Sequence, residues 1–220
     1  MKYRSAFDII GPVMIGPSSS HTAGAARIGR VARTLFGRLP KKAIISLYGS
    51  FAKTYKGHGT DFAIVAGLLD FDTFDERMPQ SLEIAKELGL DVTFSIEEAV
   101  TDHPNTVKIN LYHDDNELEL VGISIGGGTI EITELNSFPL KLSGEHPAIL
   151  VIHQDRFGII SAVTSVLSKY EINIGHMEVS RLEKGEMALM LIEVDQKIDD
   201  MVIDELQQLS NVSQIIRMAE

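Results

Sequence analysis

Cysteine is absent from the 220 residues, and so is tryptophan. Without a thiol the chain can form no disulfide, no thiolate zinc site and no iron–sulfur cluster on its own ligands. Basic residues are also scarce: 20 Lys and Arg stand against 31 Asp and Glu, a formal net charge of −11 with neutral His. Binding to nucleic acid needs a surplus of Lys and Arg to neutralise phosphates, so that partner is excluded. Arg27, Arg30, Arg33 and Arg38 cluster locally and read as a solvated helix face. No run of eighteen apolar residues occurs and the N-terminus lacks a signal-peptide core, so no membrane is expected and the expected location is the cytoplasm. What remains, 44% hydrophobic and 23% charged, is the composition of a folded chain long enough for one or two domains.

The stretch around which the rest is organised is Gly16-Pro17-Ser18-Ser19-Ser20-His21-Thr22-Ala23-Gly24. Beyond it, Ile28, Val31, Ala32, Leu35 and Phe36 recur at helical spacing, and Gly37 is a stop signal. The serines are N-cap residues. A helix start presents unpaired N–H groups and the positive end of the dipole, a seat for a carboxylate or phosphate that the hydroxyls and His21 would surround. An ordinary capped helix that binds nothing gives the same spacing. Ahead of it, Phe7 to Pro12 reads as a turn.

The theme returns downstream. Ala43 to Gly49 reads as a strand, and Gly57-His58-Gly59-Thr60-Asp61 then feeds an apolar helix from Phe62, with Thr60 or Asp61 as its cap. Two polar loops, each carrying a His into a helix start, would make a site if they converge on one cavity. Pro79 to Leu88 reads as a third helix, followed by strands at Asp91–Ile96, Thr106–Tyr112, Glu117–Ile125 and Thr129–Leu135. The run Gly126-Gly127-Gly128 exceeds what a tight turn needs. It predicts either a bulged turn or a place where a ligand or another subunit approaches the backbone.

Ser143 to Pro147 is a compositional break that divides a domain 1–143 from a domain 148–220. The second has strand, helix, two strands, helix and strand at Ala148–His153, Ile159–Lys169, Ile172–Leu182, Met187–Asp195, Asp199–Leu209 and Val212–Met218. That βαββαβ order is ferredoxin-like, giving an α+β protein overall.

This tail resembles an ACT domain, through Asp155-Arg156-Phe157-Gly158 after the first strand, Ile172-Asn173-Ile174 and Gly185 in the hairpin. The resemblance implies an effector near Asp155, Phe157 and Gly158, and possible self-association through the domain. The front part is similar to the β subunit of bacterial iron–sulfur-dependent L-serine dehydratase of the two-subunit type. The similarity rests on Gly16 to Thr22, on Gly57 to Asp61 and on Ser124-Ile125-Gly126-Gly127-Gly128, in that order. Thr129 departs from it, standing where an apolar or aromatic residue is expected. The resemblance implies an N-terminal α+β fold similar to the allosteric substrate-binding domain of some phosphoglycerate dehydrogenases.

It also implies the reaction: L-serine loses water to give aminoacrylate, which hydrolyses to pyruvate and ammonia. Hydroxide leaves poorly and the α-proton is weakly acidic, so a Lewis-acidic iron would assist departure while a base takes the proton. The resemblance assigns that four-iron four-sulfur cluster to a separate α subunit, with no metal held by this chain, which alone would be inactive. A monovalent cation is compatible with it. His21 and His58 become the catalytic candidates, His21 as hydrogen-bond donor or proton carrier, with the donor role favoured. Ser19, Ser20 and Thr22 would sit around the substrate carboxylate or the subunit boundary, and Thr60 and Asp61 would complete the pocket. Asp61 would pair with the substrate ammonium or orient one of the histidines.

Three rivals share these residues. Ser20 beside His21 is no nucleophile pair, because sequence neighbours on a helix start do not face each other and no Gly-x-Ser-x-Gly occurs. A metal site from His21, His58 and Asp61 matches no ligand spacing. The third is a non-catalytic amino-acid sensor, an anion-binding domain fused to an ACT module. His153 and His176 flank its effector loop, whereas His103, His113 and His146 read as turn, surface or core residues.

Overall fold

The computed structural model describes residues 12–218. The turn expected over Phe7 to Pro12 lies, apart from Pro12, outside the described residues. The chain forms two compact units that divide between Asn136 and Ser137, ahead of the compositional break at Ser143 to Pro147.

In the first unit, a π-helical turn over Ser19–Ala23 runs into helix α1 (Gly24–Phe36), earlier than the apolar periodicity from Ile28 suggests. Gly37 ends α1 at φ 80°, its N–H donating to the carbonyls of Arg33 and Thr34. Strand β1 (Lys42–Leu47) follows, then the short helix α2 (Gly49–Thr54), which the sequence reading left unassigned. Helix α3 (Thr60–Leu68) is apolar all round, as befits a helix with Ala63 to Leu68 buried. A 3₁₀ turn at Met78–Gln80 carries Pro79 into helix α4 (Ser81–Glu87), and Gly89 at φ 78° closes it.

Strands β2 (Asp91–Ile96), β3 (Thr106–His113), β4 (Asn116–Gly126) and β5 (Thr129–Leu135) complete the unit. The strand order is β2-β1-β3-β4-β5, with only the β1–β2 pair parallel. Alternation puts Ala43, Ile45 and Leu47 of β1 and Val107, Ile109 and Leu111 of β3 in the core, while Lys108, Asn110 and Tyr112 take the other face. α1 packs on β4 and β5, and α3 packs on α1.

The α1–α3 crossing is unusually close. A Cβ at Gly67 would overlap the Ala26 carbonyl oxygen, and one at Gly29 would overlap the Ile64 carbonyl oxygen. Backbone thus lies on backbone, and only glycine fits at the contact.

In the second unit, strand β6 (Phe138–Leu142) was not read from the sequence. It packs near β8 (Ile174–Arg181), the Lys141 N–H donating to Glu178 Oε2 at 3.1 Å. The rest is the expected βαββαβ: β7 (Ala148–Gln154), α5 (Ile159–Lys169), β8, β9 (Met187–Val194), α6 (Asp200–Gln207) and β10 (Val212–Met218). These strands are antiparallel in the order β10-β7-β9-β8. Ile149, Val151, Met190 and Ile192 pack on Val163 and Leu167 of α5 and on Val202 and Leu206 of α6.

Candidate functional site

The two histidine loops meet. Ser18, in extended conformation, caps the π turn by accepting the His21 N–H on Oγ at 3.1 Å. The turn is wider than α, with the Ala23 N–H reaching the Ser18 carbonyl. Gly59 at φ 65° starts α3, so neither Thr60 nor Asp61 caps it. Thr60 Oγ1 instead donates across to the His21 carbonyl at 2.9 Å, while Thr22 Oγ1 donates back to the His58 carbonyl at 2.9 Å. Each loop's threonine therefore satisfies the carbonyl of the other loop's histidine, and both threonines are fully buried.

This staple brings the His21 and His58 rings to 4.9 Å between centroids. The edge of Phe51 packs against His21 at 5.3 Å, and Ser50 Oγ lies 2.8 Å from His21 Nε2. Nδ1 of His21 faces Ser18 Oγ at a longer 3.4 Å. Ser50 and Phe51 were missed in the sequence. Their signal was Gly49-Ser50 directly after β1, since ligands in open sheets collect beyond the carboxyl ends of strands.

Burial, and secondarily the neighbouring His58, hold the His21 imidazolium below its ordinary acidity range. The shift favours the neutral ring, in which one nitrogen donates and the other accepts. His58 Nδ1 is buried with no hydrogen-bond partner among the described residues.

The remaining predicted residues are less constrained. Ser19 and Ser20 are half-buried and make no side-chain hydrogen bond among the described residues. Asp61 Oδ1 accepts the Phe62 N–H at 2.9 Å and bonds to neither imidazole.

The glycine turn serves α1. Gly126, Gly127 and Gly128 all have positive φ, and the β4–β5 register slips between Ser124 and Gly126, the bulged turn of the two readings. The Gly128 carbonyl accepts Arg27 Nη1 at 2.9 Å, and a Cβ there would press on Pro12. What approaches the backbone closely is the chain's own Pro12. Ser124 Oγ lies buried under Gly24 without a partner among the described residues.

In the second unit Asp155 is tied to the β8–β9 hairpin, accepting the Gly185 N–H at 3.0 Å and Arg181 Nη1 at 2.7 Å. These contacts, the Gly185 N–H first, hold its carboxyl below the ordinary range. Phe157 is fully exposed, and Gly158 at φ 89° starts α5. His153 is buried and its Nε2 has no partner among the described residues. A cavity of about 530 Å³ beside α2, lined by Ala52, Lys53, Ile96 and Val100, contains none of the predicted site residues.

The lowered His21 pKa has a measurable consequence. Its folded value lies below the unfolded one, so the linked stability is present above pH 6.5 and lost as pH falls through the lowered value. If the neutral ring is the working form, the acid limb of a kcat/KM profile should fall below pH 6.5, at the pKa of His21 read by NMR titration. A limb above pH 6.5 would contradict this.

The family profile described as Serine dehydratase beta chain matches residues 5–89, and that of the ACT domain matches residues 148–211. A probable L-serine dehydratase beta chain from Bacillus subtilis is 66% identical over all of both chains. The L-serine dehydratase beta chain of Peptoniphilus asaccharolyticus is 38% identical over 89% of each. A D-3-phosphoglycerate dehydrogenase from a Synechocystis strain is 25% identical over 95% of this chain but 38% of its own length.

Proposed function

This chain belongs to the β chains of L-serine dehydratase, and on that premise we propose that its two stapled loops form half of an L-serine site completed by the α subunit. A subunit of L-serine ammonia-lyase takes precedence over the free-standing amino-acid sensor, because the kinship extends over the full length. The observation that carries the proposal is the 4.9 Å approach of His21 to His58, with each loop's threonine locked on the other's carbonyl.

In this reading the hydroxyls of Ser19 and Ser20, which have no internal partner among the described residues, receive the serine carboxylate at the helix start. Thr22 and Thr60 hold the loops together rather than touching substrate, since both are buried on carbonyls. His21, accepting the Ser50 hydroxyl on Nε2, orients the substrate as a donor through Nδ1–H, and His58 lies beside it. Asp61, bonded to neither histidine, keeps acceptor capacity for the substrate ammonium.

The chain's donors do not fit an iron–sulfur cluster. It has no cysteine, and the described residues contain no group of three or more His, Asp or Glu able to hold a metal ion. The proposal therefore gives the four-iron four-sulfur cluster no ligand among these residues and assigns its thiolates to the α subunit; a monovalent cation is compatible with it. Pyruvate and ammonia are the proposed products, the assembly is a heterodimer or a multiple of it, and the cytoplasm is the proposed location. Phe157 and Gly158, with Asp155 holding the loop, are the proposed effector contacts of the ACT domain, which is also a candidate for self-association.

The test is anaerobic co-expression with an L-serine dehydratase α chain, followed by an assay of pyruvate from L-serine. The pair should turn over and this chain alone should not. Turnover by the isolated chain, or none by a cluster-loaded pair, would overturn the proposal.

A further inference from the structure

We infer that Ser50 is the positioning residue of His21, holding the ring in one orientation and one tautomer through Nε2. The inference rests on the reading of His21 as part of the L-serine site. Ser50 stands on α2, outside both histidine loops, and its hydroxyl lies 2.8 Å from Nε2. That is the shortest hydrogen-bond distance to the His21 ring, against 3.4 Å from Nδ1 to Ser18 Oγ. The hydroxyl can donate to Nε2 or accept from it; with His21 as the donor of its site, through Nδ1–H, Ser50 Oγ donates to Nε2 and favours that tautomer. Phe51, the next residue, packs edge-on against the same ring, so α2 fixes both the plane and the polar end of the imidazole.

The backbone around Ser50 is built to hold that hydroxyl still. Gly49, at φ 52°, turns the chain out of β1 with the Pro104 backbone too close for any side chain. The Ser50 N–H donates to the Pro104 carbonyl at 2.7 Å, and the Ser50 carbonyl accepts Thr54 Oγ1 at 2.8 Å. Both anchors are main-chain atoms of Ser50, so a Ser50→Ala chain keeps them and loses only the contact to His21. His58 is the one titratable group facing the His21 ring among the described residues, and it remains in place in that variant. Ser50 acts through His21 and is not itself a catalytic residue.

Two measurements separate this role from the lyase reading. Imidazole ¹⁵N shifts of His21 in the full chain report its tautomer ratio without any partner. Ser50→Ala should move that ratio by about threefold or more toward the free-imidazole mixture, and Ser50→Thr, which keeps the hydroxyl, should restore it. In the assembled enzyme Ser50→Ala should lower kcat by about tenfold or more with KM within about twofold, and Ser50→Thr should recover most of it. An unchanged tautomer ratio in Ser50→Ala overturns the inference. A shifted ratio in Ser50→Ala, together with full turnover when His21 itself is replaced, overturns the lyase role of His21 and leaves the positioning intact.

Discussion

His21→Ala, assembled with the α subunit, should lose about a hundredfold or more of its pyruvate formation while the visible absorbance of the cluster stays unchanged. The imidazole is the point where the site's contacts converge: Ser50 on Nε2, the edge of Phe51, and His58 at 4.9 Å. Alanine removes the ring but not the staple, because Thr60 bonds to the backbone carbonyl of residue 21. The loops should therefore stay together, and the fold should lose only about 1–2 kcal/mol, from the small gap beside Phe51. His21→Asn refines the result. A pure donor role is partly restored by the Asn amide, whereas proton transfer at that position is not. Activity near that of the unmodified enzyme in His21→Ala would remove His21 from the site.

Gly67→Val should unfold the first unit or bring its thermal transition down by roughly 10 °C, corresponding to about 3 kcal/mol or more. The atoms a side chain would meet are the Ala26 carbonyl oxygen and the Arg30 N, both α1 main chain that no rotamer change can clear. α1 and α3 would have to separate, and α1 continues the His21 turn while α3 continues the His58 loop. Loss of the Thr22 and Thr60 bonds would accompany the shift. Gly37→Ala is the control: its φ of 80° disfavours a side chain, yet nothing lies within 4 Å. That change should cost only about 1 kcal/mol. Gly67 has no positive φ, so a loss as small as that of Gly37→Ala would show that the crossing yields to a side chain at position 67. Gly29→Ala strains the same helix pair, so combined with a Gly67 substitution it should cost less than the sum.

Much of this architecture was legible from local chemistry. Gly37 and Gly89 ended their helices, Asp91–Ile96 and Thr129–Leu135 were strands with the bounds read, and α5 and β10 matched as well. Each has a clear apolar period or a residue suited to positive φ, and those preferences act within a few residues. α2 and β6 escaped notice because they are six and five residues long, too short for a period to register. The caps were only half legible. Serines ahead of an apolar stretch announced a helix start, but the hydroxyl of Thr60 was taken by another loop instead of its own helix.

The sequence by itself determined that a helix would begin beside each histidine, that the tail would follow the ferredoxin-like order, and that this chain can supply no thiolate. Those are properties of residue type, local spacing and an absent element, and none depends on distant contacts. Only the tertiary structure decided that the two loops would meet, and that Ser50, 29 positions from His21, would reach its Nε2. The reason is the glycine crossing of α1 and α3. Backbone-to-backbone approach sets the distance between the loops, and a lone glycine in a helix pattern does not reveal which helix it will face.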